Sequence, residues 1–237
     1  MGVVIYTIPK SGTHFMSDII SLMINPKTNI YNKNKMYKFV PHIKKIDKSK
    51  VFFSTHPKYI KLEKLIEKKY KLIMMIRNPL DLCISKYFFF EKRKPKKKRQ
   101  SIFQYIKNNV EKESKKVWNF YNNYIKNKES AILVKYEDLI LDLDTSLEIV
   151  HEYLKNYKQI KKEINYELIK EKINFDKVKK EEKKNGIYKV GRIQNSLFHR
   201  SGKVGQVKDH LNQNQINEIM ELIPKYIYEI YPEKLYL

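Results

Sequence analysis

A three-layer α/β fold, with a central parallel sheet flanked by helices, is the architecture that this 237-residue sequence predicts. Two observations carry it. Four short apolar runs, Val3 to Ile8, Val51 to Ser54, Leu72 to Ile76 and Ala131 to Val134, are continuous rather than alternating. Strands covered on both faces have that pattern. Stretches with helical period follow each run, at 14–24, roughly 58–69, 79–90 with 101–126, and 142–156. Strand–helix alternation of this kind builds parallel sheets, whose ligands lie beyond the carboxyl ends of the strands. The residues that follow each strand are therefore the ones to read for chemistry.

The length suits one domain over 1–237, and 42% hydrophobic with 13% aromatic residues supply a core that a disordered chain lacks. The net charge of +23 favours a polyanionic partner, whether nucleic acid, an anionic surface or a phosphorylated small molecule. Lysine supplies nearly all of it, alongside many Asn, Ile and Tyr, a mixture that biased codon supply also produces. Surface basicity by itself selects no partner. The single cysteine, Cys83, leaves no intramolecular disulfide and no Cys-based zinc site. No apolar run approaches the ~18 residues of a membrane span, and the first strand begins at Val3 with no basic leader before it. The expected compartment is the cytoplasm. No internal repeat is visible. The basic run Lys92 to Arg99 reads either as a nucleic-acid or localisation patch or as a solvated loop broken at Pro95. The Lys/Glu-rich stretch 155–190 reads as surface helix followed by loop, or as a lid.

Chemistry concentrates at the strand ends. The first strand runs into Ile8-Pro9-Lys10-Ser11-Gly12-Thr13 and then a helix at His14-Phe15-Met16. A glycine turn entering a helix N-terminus is an anion cradle, because unsatisfied N–H groups and the helix dipole point at the ligand. Ser11 and Thr13 add hydroxyls and Lys10 adds a charge. The bland alternative is a plain turn with Thr13 as N-cap. It is not a Walker A loop, which places its lysine after the second glycine. The third strand ends in Arg77 where nucleoside triphosphatases have a metal-binding aspartate. Asn78 and Pro79 then suit the N-cap and first position of a helix that carries Ser85. A guanidinium and a hydroxyl there fit a second phosphate. His56, after Thr55 at the end of the second strand, is a candidate general base; among the other histidines only His14 has a comparable address. A basic, glycine-punctuated segment follows late in the chain, at Arg200-Ser201-Gly202-Lys203-Val204-Gly205, and suits a phosphate-wrapping loop.

Taken together these segments resemble the cytosolic type of the sulfotransferase family that uses 3′-phosphoadenylyl sulfate (PAPS). The resemblance rests on Pro9 to Thr13, Thr55-His56, Arg77-Asn78-Pro79 with Ser85, Tyr136-Glu137-Asp138-Leu139, and Arg200 to Gly205, in that order. It implies a P-loop-like fold and transfer of a sulfuryl group to a hydroxyl or amine of a small acceptor (an alcohol, a phenol or an amine). Lys10, Ser11, Gly12, Thr13 and His14 would hold the 5′-phosphosulfate, Phe15 would stack on adenine, and Tyr136 would contact the adenine region. Arg77, Ser85, Arg200, Ser201 and Gly202 would hold the 3′-phosphate of PAPS and of its product PAP. His56 would act as general base and Lys10 would stabilise the leaving phosphate, with no metal.

The sequence also departs from the family pattern. His14 replaces a hydroxyl residue, Ser54 stands where many relatives have lysine, Ser201 replaces a lysine and Val207 a tryptophan. The family's dimerisation sequence is missing from 208–218, so a monomer, or a dimer through another interface, is expected. Two other functions are set against this one. A P-loop-like nucleotide kinase would need Mg²⁺ and ATP, and the lysine placement and Arg77 argue against it. A non-enzymatic nucleic-acid binder would lose affinity steeply with salt, but its lysines follow no recognisable nucleic-acid-binding motif. Neither nucleic acid nor a membrane is an expected partner.

Overall fold

β1 (Val3–Thr7) is buried along its whole length, as its unbroken apolar run requires. In the computed structural model the described residues are 2–30, 38–39, 52–91, 94–157, 160–185 and 202–232. Among them β1 pairs in parallel with β3 (Phe52–Thr55) on one side and β4 (Lys71–Ile76) on the other. A two-residue β2 (Lys38–Phe39) extends the sheet beyond β3, and β5 (Ala131–Lys135) extends it beyond β4. The order is β2-β3-β1-β4-β5, all parallel. Four of these strands were legible as apolar runs; β2 was not.

Helices cover both faces. Val3, Ile5, Ile73 and Met75 point into a core shared with α1 (Thr13–Ile24), α6 (Leu143–Leu154) and α7 (Tyr166–Ile173). Val4, Tyr6, Leu72, Met74 and Ile76 point to the opposite face, against α2 (Leu62–Glu67), α3 (Pro79–Lys86), α4 (Ile102–Lys126) and α9 (Gln213–Glu221). The side-chain period of two makes one strand serve both cores. A short α5 (Tyr136–Leu141) follows β5 directly, and α8 (Phe175–Asn185) follows α7.

The chain leaves β1 toward one face through α1 and leaves β3 toward the other through α2. A crevice therefore opens between the carboxyl ends of β1 and β3, where such sheets bind ligands. Register places Tyr6 beside Thr55 and Thr7 beside Met75. Three functional strand ends thus meet at one edge of the sheet.

Several expectations are refined here. The N-cap of α1 is Gly12, not Thr13, whose hydroxyl instead meets Thr7 Oγ1 at 2.7 Å. The helix expected over 79–90 is α-helical only to Lys86, then widens into a π turn at Tyr87–Glu91. Asn78 caps it as expected, its side-chain oxygen accepting from Leu80 N at 2.9 Å, with Pro79 in the first turn. The described part of the basic run is a loop with a 3₁₀ turn at Lys96–Lys98. Buried Glu91 ties it down, accepting from Gln100 N at 3.0 Å and pairing with Lys94 at 2.5 Å. Over 155–190 the described residues include α7 and α8; 186–201, which include Arg200 and Ser201, lie outside the described residues.

Candidate active site

The turn after β1 is built around two left-handed residues. Lys10 has φ 79° and Gly12 has φ 89°, and Ser11 N donates to Ile8 O at 3.1 Å. A lysine in that region costs about 1–2 kcal/mol, so surrounding contacts must hold it there. Gly12 has no room for a side chain: a Cβ would lie 2.6 Å from Tyr136 Cδ2. Backbone and aromatic ring are pressed together at the mouth of α1. No side chain caps α1 and its first turn holds no acid, so among the described residues its leading N–H groups stay available to an anion. Ser11 Oγ is fully buried and has no partner among the described residues, a vacancy that a buried hydroxyl rarely keeps. These features fit an anionic ligand in the turn.

His56 stands beside this turn at the crevice. Its Nδ1 lies 2.8 Å from the Thr7 carbonyl oxygen and 3.1 Å from Thr7 Oγ1. A carbonyl only accepts, so Nδ1 carries the proton and the basic lone pair sits on Nε2. Burial lowers the pKa of the imidazole below its ordinary value and the nearby Lys86 charge adds to this, against the bond to Thr7. The ring is therefore neutral near pH 7.

Arg77 is buried at the end of β4 and joins three segments. Its guanidinium lies 4.0 Å from the centre of the Tyr136 ring, donates to Lys10 O and Lys203 O at 3.4 Å each, and approaches Asp81 at 3.9 Å. Its Nε has no partner among the described residues. Asp81, in the first turn of α3, accepts from Gly205 N and Gln206 N at 3.0 Å each. That pair of bonds docks the late loop onto the helix that carries Ser85. Glu137 backs the arrangement: it is fully buried and accepts from Asn78 N at 2.9 Å. Burial pushes its carboxyl up to about 7, against the pull of Arg77.

One cavity of about 820 Å³ collects Lys10, Gly12, Thr13, His14, Phe15, His56, Arg77, Ser85, Tyr136 and Gly202, a size near the upper end for ligand pockets. Ser11 sits buried behind that wall. Gly202 is left-handed at φ 65°, and a Cβ there would lie 2.5 Å from the Phe175 ring. Val207 is packed in the core rather than in the cavity. Phe88 packs with the core, while Phe89 and Phe90 line the cavity and the Lys10 ammonium lies 4.1 Å from the Phe89 centroid.

Sequence reasoning missed Lys58, Lys86, Glu113, Lys116, Phe175 and Gln206 on this wall, which Tyr59 and Tyr105 also line. Two signals were present. Lys86 interrupts an otherwise apolar run, and Glu113 falls on the buried stripe Ile106, Val110, Val117, Phe120 of α4. A charge on a buried stripe has to be paired, and Glu113 is. Its Oε2 lies 2.5 Å from Lys86 Nζ and its Oε1 2.7 Å from Lys116 Nζ. Among the described residues no group of three or more His, Cys, Asp or Glu gathers as a metal site, and no helix is long and apolar enough to cross a membrane.

Comparison with known proteins identifies the family. Residues 2–231 fit the sulfotransferase domain model. A 3-beta-hydroxysteroid sulfotransferase of Cavia porcellus is 26% identical, covering 97% of this chain and 84% of its own. An amine sulfotransferase of Oryctolagus cuniculus is 27% identical over 90% of this chain and 76% of its own. Among solved structures, a mouse sulfotransferase complexed with PAP superimposes with a TM-score of 0.62 at 19% identity, covering 93% of this chain and 82% of its own. A retinol dehydratase with androsterone and PAP gives 0.68 at 16% identity, covering 98% and 83%. A cradle after β1, an arginine closing β4 and a histidine at the end of β3 are thus carried by a chain that belongs to the sulfotransferase domain family.

Proposed function

We propose that this enzyme transfers a sulfuryl group from PAPS to a hydroxyl or amine of a small acceptor, with His56 as general base and Lys10 at the leaving phosphate. The observation that carries the base assignment is the 2.8 Å contact between His56 Nδ1 and the Thr7 carbonyl oxygen, which leaves the lone pair on Nε2. When bound, PAPS supplies a sulfur whose bond to the 5′-phosphate oxygen breaks as the acceptor's oxygen or nitrogen bonds to it, the electron pair leaving with the phosphate.

The residues divide that chemistry. His56 Nε2 takes the acceptor's proton, and its lowered pKa keeps it in the receptive form. Lys10 sits on the turn that faces the phosphate and can exchange the Phe89 ring for a phosphate oxygen. Charge that develops there mainly in the transition state makes its contribution catalytic. The α1 N-terminus, Ser11 and Thr13 hold the 5′ end, with His14 beside them, while Phe15 and Tyr136 flank the base. Arg77, Ser85 and the backbone at Gly202 hold the 3′-phosphate, assisted by Arg200 and Ser201. No residue here requires a metal. The names of the relatives, a hydroxysteroid and an amine sulfotransferase, are consistent with a small acceptor, and the cytoplasm is the compartment we assign.

His56→Ala should lower kcat at least ~100-fold while PAP affinity, measured by calorimetry, stays within twofold. Lys10→Ala should damage both. The acidic limb of kcat/KM should fall below the ordinary histidine value of about 6.5, because protonation of a buried imidazole removes the base. A His56→Ala variant that remains fully active sinks the base assignment.

A further inference from the structure

The cavity contains charge that a nucleotide and a general base do not use. Beyond Lys10 and Arg77, its wall carries three lysines, Lys58, Lys86 and Lys116, against a single carboxylate, Glu113. That carboxylate is committed. Glu113 is 4% exposed, one oxygen accepts from Lys86 at 2.5 Å and the other from Lys116 at 2.7 Å. Burial acts to raise its pKa, but the two ammonium groups outweigh this and hold it below the usual value. The carboxylate therefore stays ionised and doubly paired.

Lys86 is in a different position. Its side chain is 10% exposed and it makes one bond, to Glu113. An ammonium has three N–H donors, so two remain without a protein partner among the described residues. Burial pulls its pKa down while Glu113 opposes this, so the ion pair is what keeps the charge in place. Its charge also reaches His56, which lines the same cavity. A buried ion pair is weak evidence for stability alone. One whose cation keeps donors turned into a ligand cavity is a recognition device.

We propose that the Lys86–Glu113–Lys116 cluster selects acceptors that carry an acidic group, a carboxylate or another small anion, on an aromatic or apolar body. Tyr59 and Phe90, exposed at 41% and 51%, and Phe89 and Tyr105 supply the apolar surface for that body. A cationic acceptor finds no partner in the cluster, because both oxygens of Glu113 are taken and the excess charge is positive. The proposal rests on the sulfotransferase reading above and narrows its acceptor.

Three matched phenols test it: 3-(4-hydroxyphenyl)propionate, its methyl ester, and tyramine. Binding to the PAP-saturated protein is measured by calorimetry, and sulfation with labelled PAPS in parallel. The acid should bind at least tenfold more tightly than the ester and than tyramine. Lys86→Met should collapse the acid-to-ester ratio to within twofold, and Lys86→Arg should restore most of it. PAP affinity is followed for every variant, since a misfolded protein loses it and a correctly folded one keeps it. Equal or absent binding of acid and ester to the wild type overturns the proposal, as does a ratio that Lys86→Met leaves unmoved. Failure of PAP to bind the wild type, with the acid preference intact when the phenols are titrated without PAP, counts against the nucleotide reading and not against the cluster.

Discussion

Single residues at this site are held by what their neighbours can and cannot accept. His56 is oriented by one carbonyl oxygen, Gly12 by the ring of Tyr136, and Asn78 by a carboxylate with no solvent contact. Glu137 is the least comfortable of them. Its unfolded carboxyl loses its proton near 4.5, whereas burial holds the folded one to about 7. Between those values the folded state binds more protons than the unfolded state, so stability falls as pH rises through that window and is level above it. Glu137→Gln keeps an acceptor for Asn78 N and removes the buried charge. It should therefore be more stable than the wild type at pH 8, by at most roughly 3 kcal/mol, and the difference should vanish near pH 4.5. Denaturant titrations at the two pH values check this; a variant destabilised equally at both would show that Glu137 contributes as a charge. The sequence marked Tyr136 and its neighbours only through the family pattern. Nothing local to Tyr-Glu-Asp-Leu announces that the glutamate is buried, because its partner is the backbone of Asn78, far away in sequence.

At the scale of elements, the segments legible in sequence were those whose pattern is local. β1, β3, β4 and β5 announced themselves by continuous apolar runs, and α3 by Asn78-Pro79. The π turn at Tyr87–Glu91 did not, since it depends on Phe88 entering the core while Phe89 and Phe90 turn to the cavity. Nor did the contribution of α4: Glu113 interrupts the apolar stripe of that helix, but only the packing of α3 brings Lys86 against it. The late loop is likewise placed by a partner distant in sequence. Asp81 takes the N–H groups of Gly205 and Gln206 on both of its oxygens. Charge-assisted bonds of this kind contribute roughly 1.5–3 kcal/mol each, and their loss loosens the segment that carries Gly202. Asp81→Ala should raise the Kd for PAP about tenfold and lower the unfolding midpoint. Unchanged PAP affinity in a variant of lowered midpoint would separate loop docking from nucleotide binding.

The whole molecule adds a field that no single contact explains. With 49 basic and 26 acidic residues, its net charge of +23 surrounds a cavity that is itself lined by lysines. Such a field draws small anions in and is screened over about 10 Å at 0.1 M salt. PAP association, followed by stopped flow, should slow roughly tenfold from ~0.02 to ~0.5 M salt, with dissociation changing far less; a salt-independent association rate would assign the lysines to the surface alone. Composition made this charge visible at once, yet only the fold shows that part of it is turned inward. The path from Thr13 through Thr7 to His56 has a further consequence. Each threonine hydroxyl owns one proton. An anion seated in the turn draws the proton of Thr13 toward itself, Thr7 then gives its own to Thr13, and the lone pairs of Thr7 turn to the imidazole N–H. The two hydroxyls become a one-way chain, set by whether the sulfuryl donor has arrived. The Thr7 carbonyl oxygen holds the imidazole N–H in either case, so the last residue of the central strand ties the anion turn to His56 without changing which nitrogen carries the proton.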